Sequence, residues 1–337
     1  MSEYIYIYLI IFFNLFIILK FDSFKFFKIN IDKPDGYRKL HKTPTPLAGG
    51  TIIALNISLY SIFISVNSGV LYNELFFENY INLIIFFSTS LLIFFTGFLD
   101  DKFNFNPILK FFIISIIILF LIYFDDSLKI NIIKFSFFQN EFNISQYSII
   151  FTLFCFLVFL NAFNMIDGIN LQTSSYSIIL FVSILFLYAE TLLIKTLLIC
   201  IIAYSYLNFR NKSFLGDSGS LLLSFVIAYS FIKFYNQGLI TYSDEVVIYM
   251  LVPGLDLIRL FFKRIGSKKN PLKGDRLHLH HLLLLKFSYL KTLIIFLLLV
   301  MLPVILNAYS FSKIYIISLT IIIYTLIIFI IRPYRLK

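Results

Sequence analysis

Carboxylates stand where long apolar segments of this sequence end. Asp100 and Asp101 directly follow one apolar run, and Asp217 lies between Gly216 and Ser218 just before another. Ionised side chains near hydrocarbon are costly, so they persist mainly where they form pairs, bind a metal or take part in chemistry. Oxygen donors of this kind indicate a site for Mg²⁺, or alternatively Mn²⁺, and Mg²⁺ commonly binds together with phosphates. The alternatives are a solvated helix cap at the acid pair and a helix N-cap at Asp217.

Polar side chains recur at every third position of a second segment. Asn161, Asn164 and Asp167 precede Gly168, and their spacing places them on one face of a helix. This pattern predicts a polar wall that faces a site. Hydrogen bonding between membrane helices is the alternative, since such bundles use polar side chains in this way.

Three of the four histidines lie within four positions. They are His278, His280 and His281, and they follow Asp275 and Arg276. Their basic surroundings favour binding of an anion such as a diphosphate, which needs several converging donors. Zinc is the alternative for clustered histidines. The other basic candidates for anion binding are Arg38, Lys39, His41, Arg259 and Arg264.

The composition requires a membrane to position these residues. Of the 337 residues 60% are hydrophobic and 14% charged, and the mean hydropathy is +0.91. A bilayer core takes roughly 20 apolar residues per helix, and unpaired backbone groups in lipid require helices. We therefore predict an all-α, polytopic membrane bundle that forms a single domain over residues 1–337. Its predicted spans, about eleven in number, lie near 4–20, 48–67, 80–98, 108–124, 147–163, 174–190, 192–209, 219–235, 245–262, 290–308 and 313–331.

The basic residues predict the orientation of this bundle. Most of the 28 Lys and Arg residues fall on one side of the eleven spans, and cytoplasmic loops carry such an excess. The N-terminus is then outside and the C-terminus cytoplasmic. The cytoplasmic loops lie near 20–50, 99–110, 161–173, 208–220 and 259–290. The net charge of +10 indicates contact with anionic lipid and anionic substrates rather than nucleic acid. The segment 127–146 is the connection whose crossing number the sequence leaves open.

Taken together, these segments resemble the polyprenyl-phosphate N-acetylhexosamine-1-phosphate transferase superfamily, glycosyltransferase family 4, over about residues 32–281. Five motifs carry the resemblance and occur in the family's order. They are R-K-x-H-x-x-P-x-P-x-x-G-G, the aspartate pair, N-x-x-N-x-x-D-G, G-D-x-G-S and D-R-x-H-x-H-H. The string His-x-His-His is similar to the branch that starts O-antigen, capsule or related surface glycans.

The resemblance implies an activity and a set of roles. The substrates would be a UDP-N-acetylhexosamine and undecaprenyl phosphate at the cytoplasmic face of the bacterial inner membrane, with Mg²⁺ as cofactor. The catalytic candidates would be Asp100, Asp101, Asp167 and His280, and the metal would bind Asp217, Asp100 and Asp101. Substrate binding would fall to Arg38, Lys39, His41, Lys110, Asn161, Asn164, Arg259, Arg264, Asp275, Arg276, His278 and His281. Membrane lipid and a second copy in a homodimer are further expected partners.

The sequence departs from the family pattern at three points. The segment 169–172, Ile-Asn-Leu-Gln, lacks a glycine that the family commonly has, Ile114 replaces a glutamine, and Asn270 replaces a serine before Pro271. Three alternatives accompany the prediction, and the missing glycine bears on the last of them. They are a transporter or flippase for a lipid-linked or anionic solute, the muramoyl-pentapeptide branch of the same superfamily, and a scaffold without activity.

Overall fold

A computed structural model describes residues 3–34, 43–67, 75–268 and 277–331 of the chain. Helices dominate this part, as the sequence predicts. They are α1 (Glu3–Lys20), α2 (Gly49–Val66), α3 (Tyr80–Phe103), α4 (Pro107–Phe124), α5 (Ser148–Met165), α6 (Gln172–Leu187), α7 (Leu192–Phe209), α8 (Gly216–Asn236), α9 (Ser243–Gly266), α10 (Leu279–Leu284), α11 (Tyr289–Ala308) and α12 (Lys313–Ile331).

Each predicted span coincides with one long helix, and α10 is an additional short one. Within the described residues, nine helices are long and apolar enough to cross a membrane. Two of the long helices do not meet this measure. Helix α6 has only 16 residues, and α9 carries acidic residues in its first turn and basic residues in its last. A polytopic helical membrane protein is therefore confirmed, whereas the count of eleven crossings and the orientation stay predictions.

The segment 127–146 contains no long helix. A short 3-10 turn, Asp126–Leu128, leads into a hairpin in which β3 (Ile132–Ile133) pairs antiparallel with β4 (Phe142–Asn143). The hairpin is held to the start of α9, because the Ser243 amide donates to the Lys134 carbonyl at 2.8 Å. The connection between α4 and α5 thus starts and ends at the same end of the bundle.

Helix α8 lies at the centre of the bundle. It packs against α2, α3 and α5, and 94% of its most apolar window is buried. Small residues permit this close packing: a Cβ on Gly97 of α3 would come 2.5 Å from the Ser218 Cα, and one on Gly50 of α2 would come 2.6 Å from the Gly219 amide nitrogen. The backbones therefore touch around the first turn of α8, where a larger side chain would separate them.

The first loop also positions α8. Strand β1 (Ile31–Asp32) pairs antiparallel with β2 (Thr45–Pro46), and the chain continues beside Phe214. The Phe214 amide donates to the Pro46 carbonyl at 2.9 Å, and the Gly49 amide donates to the Phe214 carbonyl at 3.1 Å. The proline and glycine positions of the first motif thus hold the turn that precedes Asp217.

An ion pair holds the opposite end of α8. The Lys233 ammonium lies 3.0 Å from the Asp125 carboxylate, and both side chains are 1% exposed. Tyr229 donates to the same carboxylate at 3.2 Å. Burial of two charges is expensive, so such a pair persists only when its geometry and hydrogen bonds are favourable. Both ends of the central helix are therefore held by specific polar contacts.

Candidate active site

Three charged side chains from three helices meet at one point. Asp100 lies in the last turn of α3, Lys110 in the first turn of α4 and Asp217 in the first turn of α8. The Lys110 Nζ lies 2.8 Å from the Asp100 Oδ2 and 2.5 Å from the Asp217 Oδ2. Because two carboxylates face one cationic atom, positive charge is stabilised at this point.

Local structure places Asp100 and Lys110 close together. After α3, Asn104 adopts a left-handed conformation with φ of 50° and ends the helix. The Phe105 amide then donates to the Asp100 Oδ1 at 2.7 Å. Asn106 caps the next helix, and Pro107 takes its first position, where proline is favoured. This tight turn reverses the direction of the chain, so that Lys110 at the start of α4 faces Asp100 at the end of α3.

Asp101 has a different environment from Asp100. Its Oδ1 accepts from the Asp217 amide at 2.7 Å, and its Oδ2 accepts from the Ser218 amide and hydroxyl at 3.1 and 2.8 Å. Both oxygens thus satisfy the free amides at the N-terminus of α8, where negative charge is favourable. The structure brings all three predicted metal ligands together, but the Asp101 oxygens face the helix terminus rather than the Lys110 ammonium.

Asn164 joins the cluster from the end of α5. With its amide oriented according to its hydrogen-bonding neighbours, the Nδ2 lies 3.1 Å from the Asp217 Oδ1 and 3.0 Å from the Ser220 Oγ. Its Oδ1 then lies 3.0 Å from the Lys110 Nζ. This amide bridges an acid and a base of the cluster, and so holds both in place.

The predicted polar wall is only partly formed. Asn161 is exposed and donates to the Leu157 carbonyl of its own helix at 2.7 Å. Helix α5 ends at Met165, so Asp167 lies in the following turn rather than on the helix face. The prediction of one helical face bearing three polar residues was therefore wrong, because the helix stops before the third.

Burial raises the pKa of the Asp167 carboxyl to about 7, and the negative charge of Asp217 raises it further in the same direction. The side chain is thus close enough to the cluster to sense its charge. Since its ordinary pKa is 3.8, the fold favours the protonated form of this carboxyl. Asp167 therefore can both accept and donate a hydrogen bond near neutral pH.

The missing glycine after Asn170 has a structural counterpart. Leu171 adopts φ of 64°, a left-handed conformation that favours glycine. Asn208 holds the strained turn, because its Oδ1 accepts from the Leu171 amide at 2.6 Å and its carbonyl accepts from the Asn170 side chain at 3.0 Å. The turn thus exists without the glycine, at the cost of backbone strain.

The histidine segment contacts the turn that follows Asp167. A Cβ on Gly168 would lie 1.9 Å from the His280 Nε2, so only glycine leaves room for this ring. His280 is 2% exposed, and its Nε2 has no hydrogen-bond partner among the described residues. Burial lowers the pKa of His280 well below its ordinary value, so the ring is neutral at pH 7. His278 stacks parallel to it at 5.8 Å, and His281 lies at 4.2 Å.

Arg259, predicted to bind phosphate, instead lies in an ion pair. Its Nη2 is 2.7 Å from the Asp256 Oδ1 and donates to the Leu277 carbonyl at 2.7 Å, while its Nε donates to the Tyr324 hydroxyl at 2.8 Å. Asp256 and Tyr324 were not among the predicted site residues. The signal for Asp256 was present, since an acid inside an apolar helical segment indicates a partner or a function. Nothing in the sequence relates Tyr324 to it.

The remaining substrate-binding candidates divide into two groups. Arg264 is buried in the last turn of α9, on the same helix as Arg259. The other residues lie outside the described part of the chain and stay predictions. They are Arg38, Lys39, His41, Asp275 and Arg276.

The geometry of the acid cluster suits a divalent cation. Among the residues described, no three His, Cys, Asp or Glu side chains form a group that could hold a metal ion. Mg²⁺ does not require such a group, because it commonly binds one or two carboxylates and completes its shell with water and substrate phosphates. The Asp100 and Asp217 oxygens that face Lys110 provide such a pair. The residues therefore fit Mg²⁺ bound with a phosphate ligand.

Part of the chain that contains these residues matches a known protein family. Residues 83–235 match the model of glycosyl transferase family 4. This range contains Asp100, Lys110, Asn164, Asp167 and Asp217, and it ends before the histidine segment.

Several curated bacterial proteins are similar over most of their length. The undecaprenyl-phosphate alpha-N-acetylglucosaminyl 1-phosphate transferase of Yersinia pestis is 26% identical over 267 residues, covering 75% of this chain and 69% of the relative. The protein of the same name from Escherichia coli K12 is 24% identical with the same coverage. A probable undecaprenyl-phosphate N-acetylglucosaminyl 1-phosphate transferase of Bacillus subtilis 168 is 26% identical over 262 residues, again 75% and 69% of the two chains. These findings confirm the resemblance stated from the motifs.

Proposed function

We propose, from the confirmed resemblance to the polyprenyl-phosphate N-acetylhexosamine-1-phosphate transferase superfamily, that this protein transfers an N-acetylhexosamine 1-phosphate from a UDP-sugar to undecaprenyl phosphate. The observation that carries the proposal is the convergence of Asp100, Lys110 and Asp217 from three helices, with Asn164 bridging two of them. Two carboxylates and an ammonium at one point suit a reaction in which phosphate charge must be neutralised.

The reaction conserves the number of phosphoanhydride bonds. A phosphate oxygen of the lipid attacks the β-phosphorus of the UDP-sugar, and the bond from that phosphorus to the bridging oxygen breaks. The products are the lipid diphosphate sugar and UMP. A phosphate monoester has a second pKa of about 6, so the attacking oxygen is largely ionised at neutral pH. No strong general base is then needed, and the main task is positioning.

The side chains divide this task. Asp100 and Asp217 would hold Mg²⁺, which when bound neutralises the diphosphate and the departing UMP. Lys110 would donate to a phosphate oxygen, and Asn164 and Asp167 would hold the nucleotide. Asp101 holds the N-terminus of α8, and so acts through Asp217 rather than on the substrate.

The histidine segment would bind the diphosphate from the other side of the Asp167 turn. His280 contacts Gly168, which places the three histidines beside this turn. Being neutral, the His280 ring acts as a hydrogen-bond donor or acceptor rather than as a cation.

The biological setting follows from the orientation and from the relatives. The names of the relatives favour GlcNAc as the sugar and a bacterial membrane as the location. We infer a site on the cytoplasmic face of the inner membrane, because the excess of Lys and Arg in the motif loops predicts that these loops are cytoplasmic. Sugar nucleotides are soluble compounds that would reach the site from that side. The product would start a surface glycan such as O-antigen, capsule or a related polymer.

Purified protein tests this proposal directly. It is incubated with undecaprenyl phosphate, Mg²⁺ and a panel of UDP-N-acetylhexosamines and UDP-muramoyl-pentapeptide, and UMP and the lipid product are measured. Release of UMP with one hexosamine, dependent on Mg²⁺, supports the assignment. Turnover only of the pentapeptide donor would move the chain to the muramoyl branch, and no turnover with any donor would support the scaffold alternative.

Two substitutions locate the reaction at the acid cluster. Asp100→Asn and Asp217→Asn should each lower UMP release by about 100-fold or more, since each removes a carboxylate from the cation site. Asp126→Asn is the control, because this acid is largely exposed at the opposite end of the bundle. Full activity of either cluster variant would overturn the assignment.

A further inference from the structure

A buried carboxylate links the histidine segment to the last described helix. Asp256 of α9 is 4% exposed and accepts hydrogen bonds from three side chains. Its Oδ1 accepts from the Arg259 Nη2 at 2.7 Å and from the Tyr324 hydroxyl at 2.8 Å, and its Oδ2 lies 2.9 Å from the His278 Nδ1. The Leu279 amide donates to it at 3.2 Å. This carboxylate thus joins α9, α12 and the residues around α10.

The contact between Asp256 and His278 determines which ring nitrogen of His278 can bind another group. An ionised carboxylate can only accept, so the Nδ1 of His278 carries the proton, and its Nε2 is the nitrogen left for another partner. A carboxylate paired with histidine in this way fixes the tautomer and the orientation of the ring. Arg259 and Tyr324 in turn hold the carboxylate in place, and they contact each other at 2.8 Å.

The oriented ring belongs to the same site as the acid cluster. His278 stacks on His280 with an angle of 5° between the rings, and His280 packs on Gly168. Gly168 directly follows Asp167, whose amide donates to the Asn164 carbonyl at 3.2 Å, and the Asn164 side chain lies 3.1 Å from the Asp217 Oδ1. A continuous set of contacts therefore runs from Asp256 to the cation site.

We propose that Asp256 is a positioning residue: it pairs with the protonated His278 ring and orients it so that the Nε2–H donates to a phosphate oxygen of the sugar nucleotide. The Tyr324 hydroxyl, which donates to the same carboxylate, makes α12 part of this arrangement. The inference rests on the proposed function for the identity of the phosphate ligand. Asp256 itself touches no substrate and acts through His278. The pairing with Arg259 neutralises the carboxylate, so that it does not repel the incoming anion.

A structural ion pair would also explain a buried Asp256, and a double-mutant cycle separates the two roles. The variants are Asp256→Asn, His278→Ala and the two combined, and binding of UDP in the presence of Mg²⁺ is measured by calorimetry. If Asp256 acts through His278, each single variant weakens UDP binding by about 10- to 100-fold, the range seen when a carboxylate that orients a histidine is removed. The double variant should then be no weaker than His278→Ala by more than about twofold, since coupled residues are not additive.

Removal of one hydroxyl gives a milder test in case Asp256→Asn fails to fold. Tyr324→Phe keeps the ring and deletes the donor to Asp256, so UDP binding should weaken by about threefold to tenfold. Tyr315→Phe is the matched control on the same helix, because its side chain is 76% exposed. It should bind UDP like the unchanged protein.

The outcomes separate this inference from the proposed function. Additive losses in the cycle, or equal binding by Tyr324→Phe and the unchanged protein, would overturn the positioning role even if the enzyme transfers sugar phosphate. If the unchanged protein binds UDP with the predicted coupling yet transfers no sugar phosphate, the positioning role stands and the proposed function fails.

Discussion

Lys110 occupies the position at which two carboxylates stabilise positive charge. An ammonium and a divalent cation compete for such a point, because both are attracted by the same pair of anions. Lys110 lies between Asp100 and Asp217, where a cation would also bind. We expect the ammonium to move away when a cation binds and to become available to a substrate phosphate.

The competition can be measured without turnover. Lys110→Met should bind Mn²⁺ about tenfold more tightly than the unchanged protein, as observed by electron paramagnetic resonance, because one nearby positive charge is removed. The same variant should lose transferase activity, since the donor to the phosphate is absent. Lys102→Met is the control for a general effect of charge, as Lys102 lies on α3 near the site without contacting these acids. Equal Mn²⁺ affinity of Lys110→Met and the unchanged protein would contradict the competition.

Asp167 predicts a pH dependence of stability. Its pKa is 3.8 when unfolded and about 7 in the folded protein, owing to burial and then to Asp217. The fold thus favours the protonated form. The resulting stabilisation is complete below about pH 4 and is lost as the pH rises through about 7. A difference of about three pKa units corresponds to at most about 4 kcal/mol, and less for a side chain that retains some contact with water.

Asp167→Asn should remove this dependence. In EDTA, the melting temperature of the unchanged protein should fall relative to that of the variant by about 3–6 °C between pH 5 and pH 8. Asp126→Asn, which alters an exposed acid, should follow the unchanged protein across this range. Parallel curves for Asp167→Asn and the unchanged protein would show that the carboxyl is not held protonated.

The N-terminus of α8 is the element that organises the cluster. It receives the Asp101 carboxylate, carries Asp217 and packs against glycines of α2 and α3. Gly216 makes this approach possible, because it adopts φ of 72° and a Cβ there would lie 2.7 Å from the Asp101 Oδ2. Gly238, just beyond the other end of the helix, also has a positive φ, of 77°, but nothing lies within 4 Å of its Cβ position.

These two glycines form a matched pair. Gly216→Ala and Gly238→Ala should each cost about 1–2 kcal/mol of stability, because alanine is strained in the left-handed region. Only Gly216→Ala displaces Asp101 and with it Asp217, so it alone should lower UMP release, by about tenfold or more. Purified variants are compared by melting temperature and by activity. Similar activity of the two variants would mean that the Asp101 contact does not position the site.

The motif loops lie on one side of the membrane only if each of the eleven long helices crosses it. Helices α6 and α9 are the two that fall short of the measure for a span, so the alignment of the motif loops depends on them. If both cross, then Asn140 in the hairpin lies on one side, and Asn211 and Lys286 lie on the other.

Single cysteines can test this arrangement. Cys155 and Cys200 are replaced by serine and alanine, and a cysteine is introduced at Asn140, Asn211 or Lys286, all exposed in the structure. A membrane-impermeant maleimide should label Asn140→Cys in intact cells, and Asn211→Cys and Lys286→Cys only in inverted membranes. Labelling of Asn140→Cys and Asn211→Cys from the same side would show that α6 does not cross.

The amino-acid sequence by itself determined that this is a polytopic helical membrane protein, and its motifs pointed to the family that the comparisons support. Apolar runs of membrane length require helices, because lipid cannot pair the backbone, and each predicted run is one helix in the structure. Acids at the ends of such runs are costly, which is why the sequence singled out Asp100, Asp101 and Asp217, and the structure brings these three acids close together.

Only the tertiary structure decided how these residues share the work. In the structure Asp101 accepts a hydrogen bond from the N-terminus of α8, whereas Asp100 forms an ion pair with Lys110. The two acids are adjacent in sequence and chemically identical. The tertiary structure also paired Arg259 with Asp256 and brought Tyr324 to them from a distant helix. Periodicity within a segment cannot predict such contacts, because they depend on the packing of different helices and on where each helix ends. Of the carboxylates beside the apolar runs, Asp100 and Asp217 thus pair with Lys110, and Asp101 caps the N-terminus of α8.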